Sequence, residues 1–253
     1  METIPKLKIE TYKKKLPSSG ELITFRPALV KEEKIWLMGS ESENTDELFT
    51  SLIQVAQNCI IEPQNFSVLQ MSYNDFVWLF IEIMKVSKGE TIHIDIPCKT
   101  PECAEGGKPF FNKGVPFKLS EIVQVDNIGK NKSKIVKLSD TKGVELKYPT
   151  VEYSMELVKQ SEKSILKNVR SATLKLIQTH ITAFLDGETR YNFTTPEEAI
   201  EWTDNNLTKK DIQKIQEWFV NEPRLIFKFE WTCSKCKTTN QYIEKELLHF
   251  LGL

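Results

Sequence analysis

Apolar residues recur at helical spacing in two long segments of the first half of the chain. The first segment, 44–60, opens with Asn44, whose side chain is typical of a helix N-cap, and is followed shortly by a proline. The second segment, 74–89, closes with Gly89, a residue that commonly follows the last turn of a helix. Stripes with this period bury one helix face, so both segments predict helices packed on a core. Cys59 lies on the first stripe and is predicted to be a core residue.

Elsewhere the apolar pattern has a period of two, which indicates half-buried strands. One alternating run, 91–97, leads directly into Cys98, and a second, 224–232, leads directly into Cys233. Shorter β-like runs are expected at 22–25, 115–119, 122–125, 135–138 and 144–146.

A proline–threonine pair at 149–150 divides the chain into two parts of different character. The first part, 1–148, is predicted to combine two or three helices with a small antiparallel sheet. The second part, 149–253, is predicted to be mainly helical, with two helices over 152–185, and to end in a hairpin. We therefore predict an α+β fold, with a small antiparallel sheet and packed helices. The two parts form one body if the C-terminal hairpin reaches the N-terminal sheet.

Four of the five cysteines form two close pairs, and each pair follows an alternating strand. Four residues separate Cys98 from Cys103, and two separate Cys233 from Cys236. A strand, a tight turn with two cysteines and a returning strand is the layout of a zinc knuckle, which is half of a four-cysteine zinc ribbon. Because zinc prefers four tetrahedral ligands, the two hairpins are predicted to share one structural Zn²⁺.

Two other interpretations of these cysteines stay open. The first pair has a longer spacing than a typical knuckle, and 129 residues, 104–232, separate it from the second pair. All four thiols would then be free, or the second pair would form a redox disulfide, although a thioredoxin-like motif would need a βαβ context. Three lysines in the turns, Lys99, Lys235 and Lys237, favour the zinc interpretation because they would offset the charge of four thiolates around one divalent ion.

Charge and composition limit the classes of function. The chain has 253 residues, with 34 basic and 35 acidic side chains and a formal net charge of −1. Dedicated nucleic-acid binders usually carry a basic excess, and the lysine-rich run 130–137 lacks interleaved aromatics and is expected to be a solvated loop. No run of 18 apolar residues occurs, and residues 1–15 lack the apolar core of a signal peptide. We therefore expect a protein of the reducing cytosol without a membrane-spanning segment.

No arrangement of catalytic residues stands out. The chain has three histidines, none in a catalytic motif, and it has no glycine-rich phosphate loop, nucleophile elbow or His-Glu-x-x-His sequence. Charged residues of the predicted helices are expected to cap a helix or to face solvent. They include the pair Asp75 and Glu82 and residues 31–34 of a short helix at 30–38, for which a contact with a partner is the alternative. These observations predict a protein without enzymatic activity.

Four short segments resemble, in order, the N-terminal signature of one phage family. They are LPSSG (16–20), FRP (25–27), VKEEK (30–34) and LM (37–38). The segment 75–90 is similar to the helix that follows in that family, with Lys88 where a valine is usual. The segment 207–253 is also similar, with a helix, a strand, a Cys-x-x-Cys turn and an apolar Gly-Leu end. The family comprises the baseplate hub subunits and hub assembly proteins of T-even-like contractile-tailed bacteriophages.

This resemblance implies a role in virion tail morphogenesis, without catalysis, through contacts with other baseplate hub and tail proteins. It is compatible with an oligomer. It implies a place in the host cytoplasm during assembly and, for a retained component, in the virion baseplate. The alternative is a zinc-ribbon module that binds nucleic acid or assists transcription. Acidic residues close to the two knuckles, Glu102, Glu105 and Glu230, argue against that alternative.

Overall fold

The computed structural model describes residues 7–42, 44–104, 108–163 and 169–244 and shows an α+β fold, as predicted. The helices are α1 (Val30–Ser40), α2 (Thr45–Cys59), α3 (Tyr73–Lys88), α4 (Leu119–Ile122), α5 (Val151–Lys163), α6 (Val169–Thr179), α7 (Pro196–Asn206) and α8 (Lys209–Val220). The strands of the N-terminal part are β1 (Tyr12–Lys15), β2 (Leu22–Phe25), β3 (Ile60–Glu62), β4 (Thr91–Pro97), β5 (Phe111–Lys118), β6 (Val123–Asp126), β7 (Ile135–Lys137) and β8 (Lys142–Leu146). The strands that follow are β9 (Ile181–Asp186), β10 (Thr189–Asn192), β11 (Arg224–Thr232) and β12 (Thr239–Glu244).

The described strands pair antiparallel in four small sheets. Their strand orders are β1-β2-β3, β4-β5, β6-β11-β12 and β7-β8-β9-β10. The third sheet joins distant parts of the chain, because Leu225 of β11 lies opposite Val125 of β6. A hairpin from the end of the chain thus completes a sheet begun in the first half. The division between 148 and 149 stays a prediction.

Two groups of buried apolar side chains lie beneath these elements. The first core is built around β2, α2, α3 and β11, and its fully buried members include Phe25, Leu52, Phe76, Phe80 and Phe227. The second core is built around β8, α6, β9 and α8, and it contains Val144, Leu146, Ile177, Ile181, Ile215 and Trp218. Cys59 is fully buried in the first core, as predicted. No helix in the described ranges is long and apolar enough to cross a membrane.

Helices α2 and α3 cover the two segments whose apolar stripes predict helices. The Asn44 side chain caps α2 by accepting a hydrogen bond from the backbone N–H of Asp46 at 2.8 Å. Helix α3 begins slightly earlier than predicted, because the Ser72 hydroxyl accepts from the backbone N–H of Asp75 at 3.1 Å. Gly89 ends α3 with a φ of +90°, a conformation that favours glycine.

Three charged helix residues do not face solvent as the sequence predicts. Glu32 is 0% exposed, Asp75 is 1% exposed and Glu82 is 9% exposed. Each has partners from outside its own helix that helical periodicity cannot reveal. Glu82, for example, forms ion pairs with Lys85 at 2.7 Å and with Lys14 of β1 at 3.6 Å.

Glu32 forms a bidentate ion pair with Arg26. Its Oε1 and Oε2 accept hydrogen bonds from the Arg26 guanidinium at 3.1 and 3.2 Å, and its Oε2 also accepts from the backbone N–H of Leu29 at 2.9 Å. Burial opposes ionisation of this carboxyl, but the Arg26 and Leu29 donors outweigh burial and lower its pKa. The short helix at 30–38 therefore turns one glutamate inward.

The helical prediction for 152–185 is correct for α5 and α6 but wrong at its end. The run from Ile181 to Leu185 is part of β9, which pairs with β8 on one side and β10 on the other. His180, 2% exposed, marks the change of direction, and its backbone carbonyl accepts from the N–H of Lys147 at 3.0 Å. The C-terminal part consequently contains more strand than the predicted final hairpin alone.

Candidate metal centre

The hairpin β4-β5 presents the first cysteine pair. Pro97 lies opposite Phe111 at the end of this hairpin, and the Cys98 backbone N–H donates to the Phe110 carbonyl at 2.8 Å. Cys103 ends a short 3₁₀ turn, in which its N–H donates to the Thr100 carbonyl at 3.0 Å. The turn brings the second thiol back towards the first.

The hairpin β11-β12 presents the second pair in a tighter turn. The Cys233 N–H donates to the Thr238 carbonyl at 2.9 Å, and the Lys237 N–H returns to the Cys233 carbonyl at 3.0 Å. Lys237 has a φ of +62°, a left-handed conformation that closes such a turn. These bonds orient Cys233 and Cys236 to the same side.

Aromatic side chains pack the two hairpins against each other. The rings of Phe117 on β5 and Phe229 on β11 are 5.0 Å apart between centroids, and Phe229 also packs on Tyr242 of β12 at 5.2 Å. Because the hairpins pack side by side, their cysteine-bearing ends meet. The predicted convergence of two distant pairs is therefore observed.

The four sulfur atoms form a tight cluster, lying within 4.8 Å of one another. Two of the distances, Cys98 Sγ to Cys236 Sγ and Cys103 Sγ to Cys233 Sγ, are 3.7 Å. Ligand sulfurs about 2.3 Å from a central ion would be roughly 3.8 Å apart in a regular tetrahedron. A disulfide would need about 2.05 Å, so none of the described cysteines forms one. The spacing is compatible with a metal ion held between the four sulfurs.

Most of the cluster is buried. Cys98, Cys103 and Cys233 are 4%, 1% and 0% exposed, and Cys236 is half-buried. Sulfur ligands without an open coordination position are typical of structural sites, whereas catalytic sites keep a position for water or substrate. This donor set could therefore hold a metal ion for structural purposes.

Hydrogen bonds and burial give the thiols unequal acidity. The Thr238 hydroxyl and backbone N–H donate to Cys236 and lower its pKa to about 6. Burial, together with the neighbouring thiols, raises the pKa of Cys103 to about 12. Burial opposes ionisation of Cys233 as well, but the backbone N–H groups of Cys236 and Lys235 outweigh it and lower the Cys233 pKa. Four thiolates at this distance need a cation to be stable together.

Two buried asparagines, which the sequence analysis did not identify, support the turns. Asn112 Oδ1 accepts from the backbone N–H and the hydroxyl of Ser234 at 2.7 and 3.0 Å, so it links β5 to the second turn. Asn240 Oδ1 accepts from the Lys99 N–H at 3.1 Å and links β12 to the first turn. Each asparagine thus ties one hairpin to the other. In the sequence, each is recognisable only as an asparagine at an inward-facing position of a strand.

The three lysines of the turns contact backbone carbonyls, and their effect on thiolate charge stays a prediction. Lys99 Nζ donates to the Gln241 carbonyl at 3.1 Å, Lys235 Nζ approaches the Cys103 carbonyl at 3.5 Å, and Lys237 Nζ donates to the Ser234 carbonyl at 2.8 Å. Cys59 lies in the first core, away from this cluster, and burial raises the pKa of its thiol to about 11.

Comparison with known proteins gives a family for this chain. The profile of the family described as "T4 bacteriophage base plate protein" matches residues 9–252. The chain belongs to this family. The match includes both cysteine pairs and the middle of the chain, which the resemblance noted above does not cover. Searches of curated proteins and of solved structures gave no significant match. Membership assigns the protein a structural role in the phage baseplate, with other phage tail proteins as partners.

Proposed function

We propose that this baseplate protein is a component of the central hub or a factor needed to assemble the hub. It would act through protein–protein contacts and without catalysis, in the host cytoplasm during assembly and, if retained, in the virion baseplate. The family match over residues 9–252 is the observation that carries the baseplate role. The N-terminal segments that resemble the hub signature favour the hub within that role.

The structure accounts for how two of these segments are held. In the LPSSG turn, the Ser18 backbone N–H donates to Asp75 Oδ1 at 2.9 Å and thereby fixes the turn on α3. In the FRP segment, Arg26 holds the buried Glu32 of the VKEEK segment at 3.1 Å. Both contacts lie within the folded chain and stabilise its N-terminal part.

We further propose that Cys98, Cys103, Cys233 and Cys236 bind one structural Zn²⁺. The clustered sulfurs, their burial and the absence of a disulfide among them support this assignment. When bound, zinc would neutralise thiolate charge and cross-link the two hairpins. The neighbouring Asn112 and Asn240 would keep the turns in position for it.

Deletion of the gene from the phage tests the hub assignment. We expect infected cells to accumulate tail parts without complete hubs, as seen by electron microscopy of sedimented assembly intermediates. Expression of the wild-type protein from a plasmid should restore complete baseplates. Mass spectrometry of purified virions then separates a retained component from an assembly factor. Complete hubs in the deletion strain would overturn the hub proposal.

A further inference from the structure

A cleft of about 810 Å³ opens between the two cores and is not explained by the metal centre. Leu16 and Met71 of the first core line it on one side, and Leu146 and Trp218 of the second core line it on the other. Its volume lies within the range of roughly 300–1,000 Å³ that is typical of binding sites. The cleft is therefore large enough to receive side chains of another molecule.

Hydrogen bonds hold both walls of this cleft in place. On one wall, the backbone N–H and the hydroxyl of Ser18 donate to the buried carboxylate of Asp75. On the other wall, the Asn131 amide donates to the Tyr148 hydroxyl and to the Trp218 carbonyl, both at 2.7 Å. A cleft with fixed walls loses less conformational entropy when a partner binds.

The rim of the cleft has an excess of positive charge. Lys132, Lys134 and Lys147 line it, all three are exposed, and none of them forms an ion pair with a residue that the structure describes. The exposed acid at the rim is Glu21, whereas the carboxylate of Asp75 is buried beneath the LPSSG turn and bonded to it. Among the described residues, the exposed side chains that line the cleft thus carry three ammonium groups and one carboxylate, which favours a negatively charged occupant.

The aromatic side chains distinguish between two classes of anionic occupant. Single-stranded nucleic acid needs exposed ring faces on which bases can stack. Three aromatic residues of the described chain line the cleft. Trp218 is only 6% exposed, because its ring stacks on Tyr148 at 4.2 Å and packs edge-on against Phe219 at 5.1 Å. Tyr148, with one ring face against Trp218, and Phe66 are half-buried, so the described lining of the cleft does not offer a row of exposed ring faces. The apolar floor instead suits an aliphatic or aromatic side chain of a peptide.

We propose that this cleft binds an acidic peptide segment of another baseplate protein, with an apolar side chain on the floor and carboxylates at the three lysines. The proposal rests on the baseplate role and adds to it the surface and the chemistry of one partner. It also gives a role to the LPSSG turn and to residues 131–134 of the lysine-rich run, since both contribute residues to the cleft.

Photo-crosslinking in infected cells tests the occupant directly. A photoreactive phenylalanine analogue replaces Asn65, an exposed residue that lines the cleft, and in a control it replaces Glu188, an exposed residue of the β9-β10 turn. We expect the Asn65 position to crosslink to one segment of a phage baseplate protein that is rich in aspartate or glutamate. A crosslink to nucleic acid, a segment without acidic residues, or equal labelling from both positions would overturn the proposal.

Charge reversal tests the lysines. The double variant Lys132→Glu/Lys134→Glu should lower the yield of infectious particles from the complemented deletion phage by roughly tenfold or more, since like charges would then oppose the partner. The control Lys137→Glu/Lys142→Glu makes the same charge change at exposed positions outside the cleft and should keep the wild-type yield. Both variants should unfold at the wild-type temperature.

In the partner protein, the acidic residues of the crosslinked segment can be changed to lysine. Combined with the cleft variant Lys132→Glu/Lys134→Glu, this change should restore the yield of infectious particles. Wild-type yield from the cleft variant, alongside a deletion phage that builds no hubs, would overturn the cleft proposal alone. Complete hubs in the deletion phage would instead contradict the proposed function. The two failures are therefore distinguishable.

Discussion

At the scale of single residues, the Arg26–Glu32 ion pair shows how burial sets the role of a charge. Glu32 is fully buried, and Arg26 holds it while also donating to the Asn58 carbonyl at 2.8 Å near the end of α2. The pair thus links the end of β2, the first turn of α1 and the last turn of α2. Breaking a buried pair by removing one partner is costly, because the other charge loses its compensation.

We predict that Glu32→Gln lowers the free energy of unfolding by about 3 kcal/mol at neutral pH. Urea denaturation measures this change. The matched control is Glu33→Gln, since the Glu33 side chain is 40% exposed and pairs with Lys88 at 2.8 Å. The control should cost less than about 1 kcal/mol. Equal effects from the two substitutions would contradict the structural role of Glu32.

The loss of stability caused by Glu32→Gln should depend on pH. The pKa of Glu32 in the folded protein is lowered from its ordinary value of 4.5, so its ionised form stabilises the fold above that value. This contribution is lost as the pH falls through the lowered pKa. The stability difference between wild type and Glu32→Gln should therefore shrink as the pH falls below 4.5. A difference that grows on acidification would contradict this account.

The sequence predicts the residues of the candidate site better than it predicts buried charges. Each cysteine pair is recognisable because its members are close in sequence and follow an alternating strand. Glu32 looks like a solvated helix residue, because its partner Arg26 belongs to another element. Asn112 and Asn240 are also missed, since each acts on the opposite hairpin. Residues whose roles depend on tertiary contacts leave little local signal.

At the scale of elements, the packing of α1 on α2 depends on two small residues. A Cβ atom at Gly39 would lie 2.0 Å from Ser51 Oγ and 2.5 Å from Ser51 Cβ. Ser51 is buried, and its hydroxyl donates to the Leu48 carbonyl at 2.7 Å. The missing side chain at Gly39 is what lets the two helices approach so closely.

We predict that Gly39→Ala destabilises the protein by about 2 kcal/mol through overpacking, although alanine is the better helix former by roughly 1 kcal/mol. In a Ser51→Gly background, most of this penalty should disappear, because the atoms that clash are gone. A double-mutant cycle by chemical denaturation measures the coupling. A neutral or stabilising Gly39→Ala would contradict the close contact.

The elements themselves are predictable where the apolar period is clear. Helices α2 and α3 and strands β4 and β11 match the predicted segments, and each pattern extends over most of its element. The run at 181–185 continues the apolar sequence of α6 without a turn signal, so the sequence alone predicts a helix there. Pairing with β8 and β10 makes it a strand, and periodicity in so short a run cannot separate these states.

At the scale of the whole molecule, the C-terminal hairpin closes the fold in two places. Strand β11 pairs with β6, and the turn between β11 and β12 meets the first cysteine turn. The sequence predicted the second contact through the chemistry of four thiols. It did not predict the pairing of β6 with β11, since no local feature specifies which strands far apart in sequence become neighbours.

The zinc content of the purified chain tests the central claim most directly. We predict one zinc per chain by elemental analysis of wild type and of Cys59→Ser, whose thiol belongs to the first core. Cys103→Ser should lose the metal and unfold at a lower temperature, because the two hairpins would no longer be cross-linked. A wild-type chain purified without zinc, or a Cys103→Ser chain that retains one zinc, would contradict the shared four-cysteine centre.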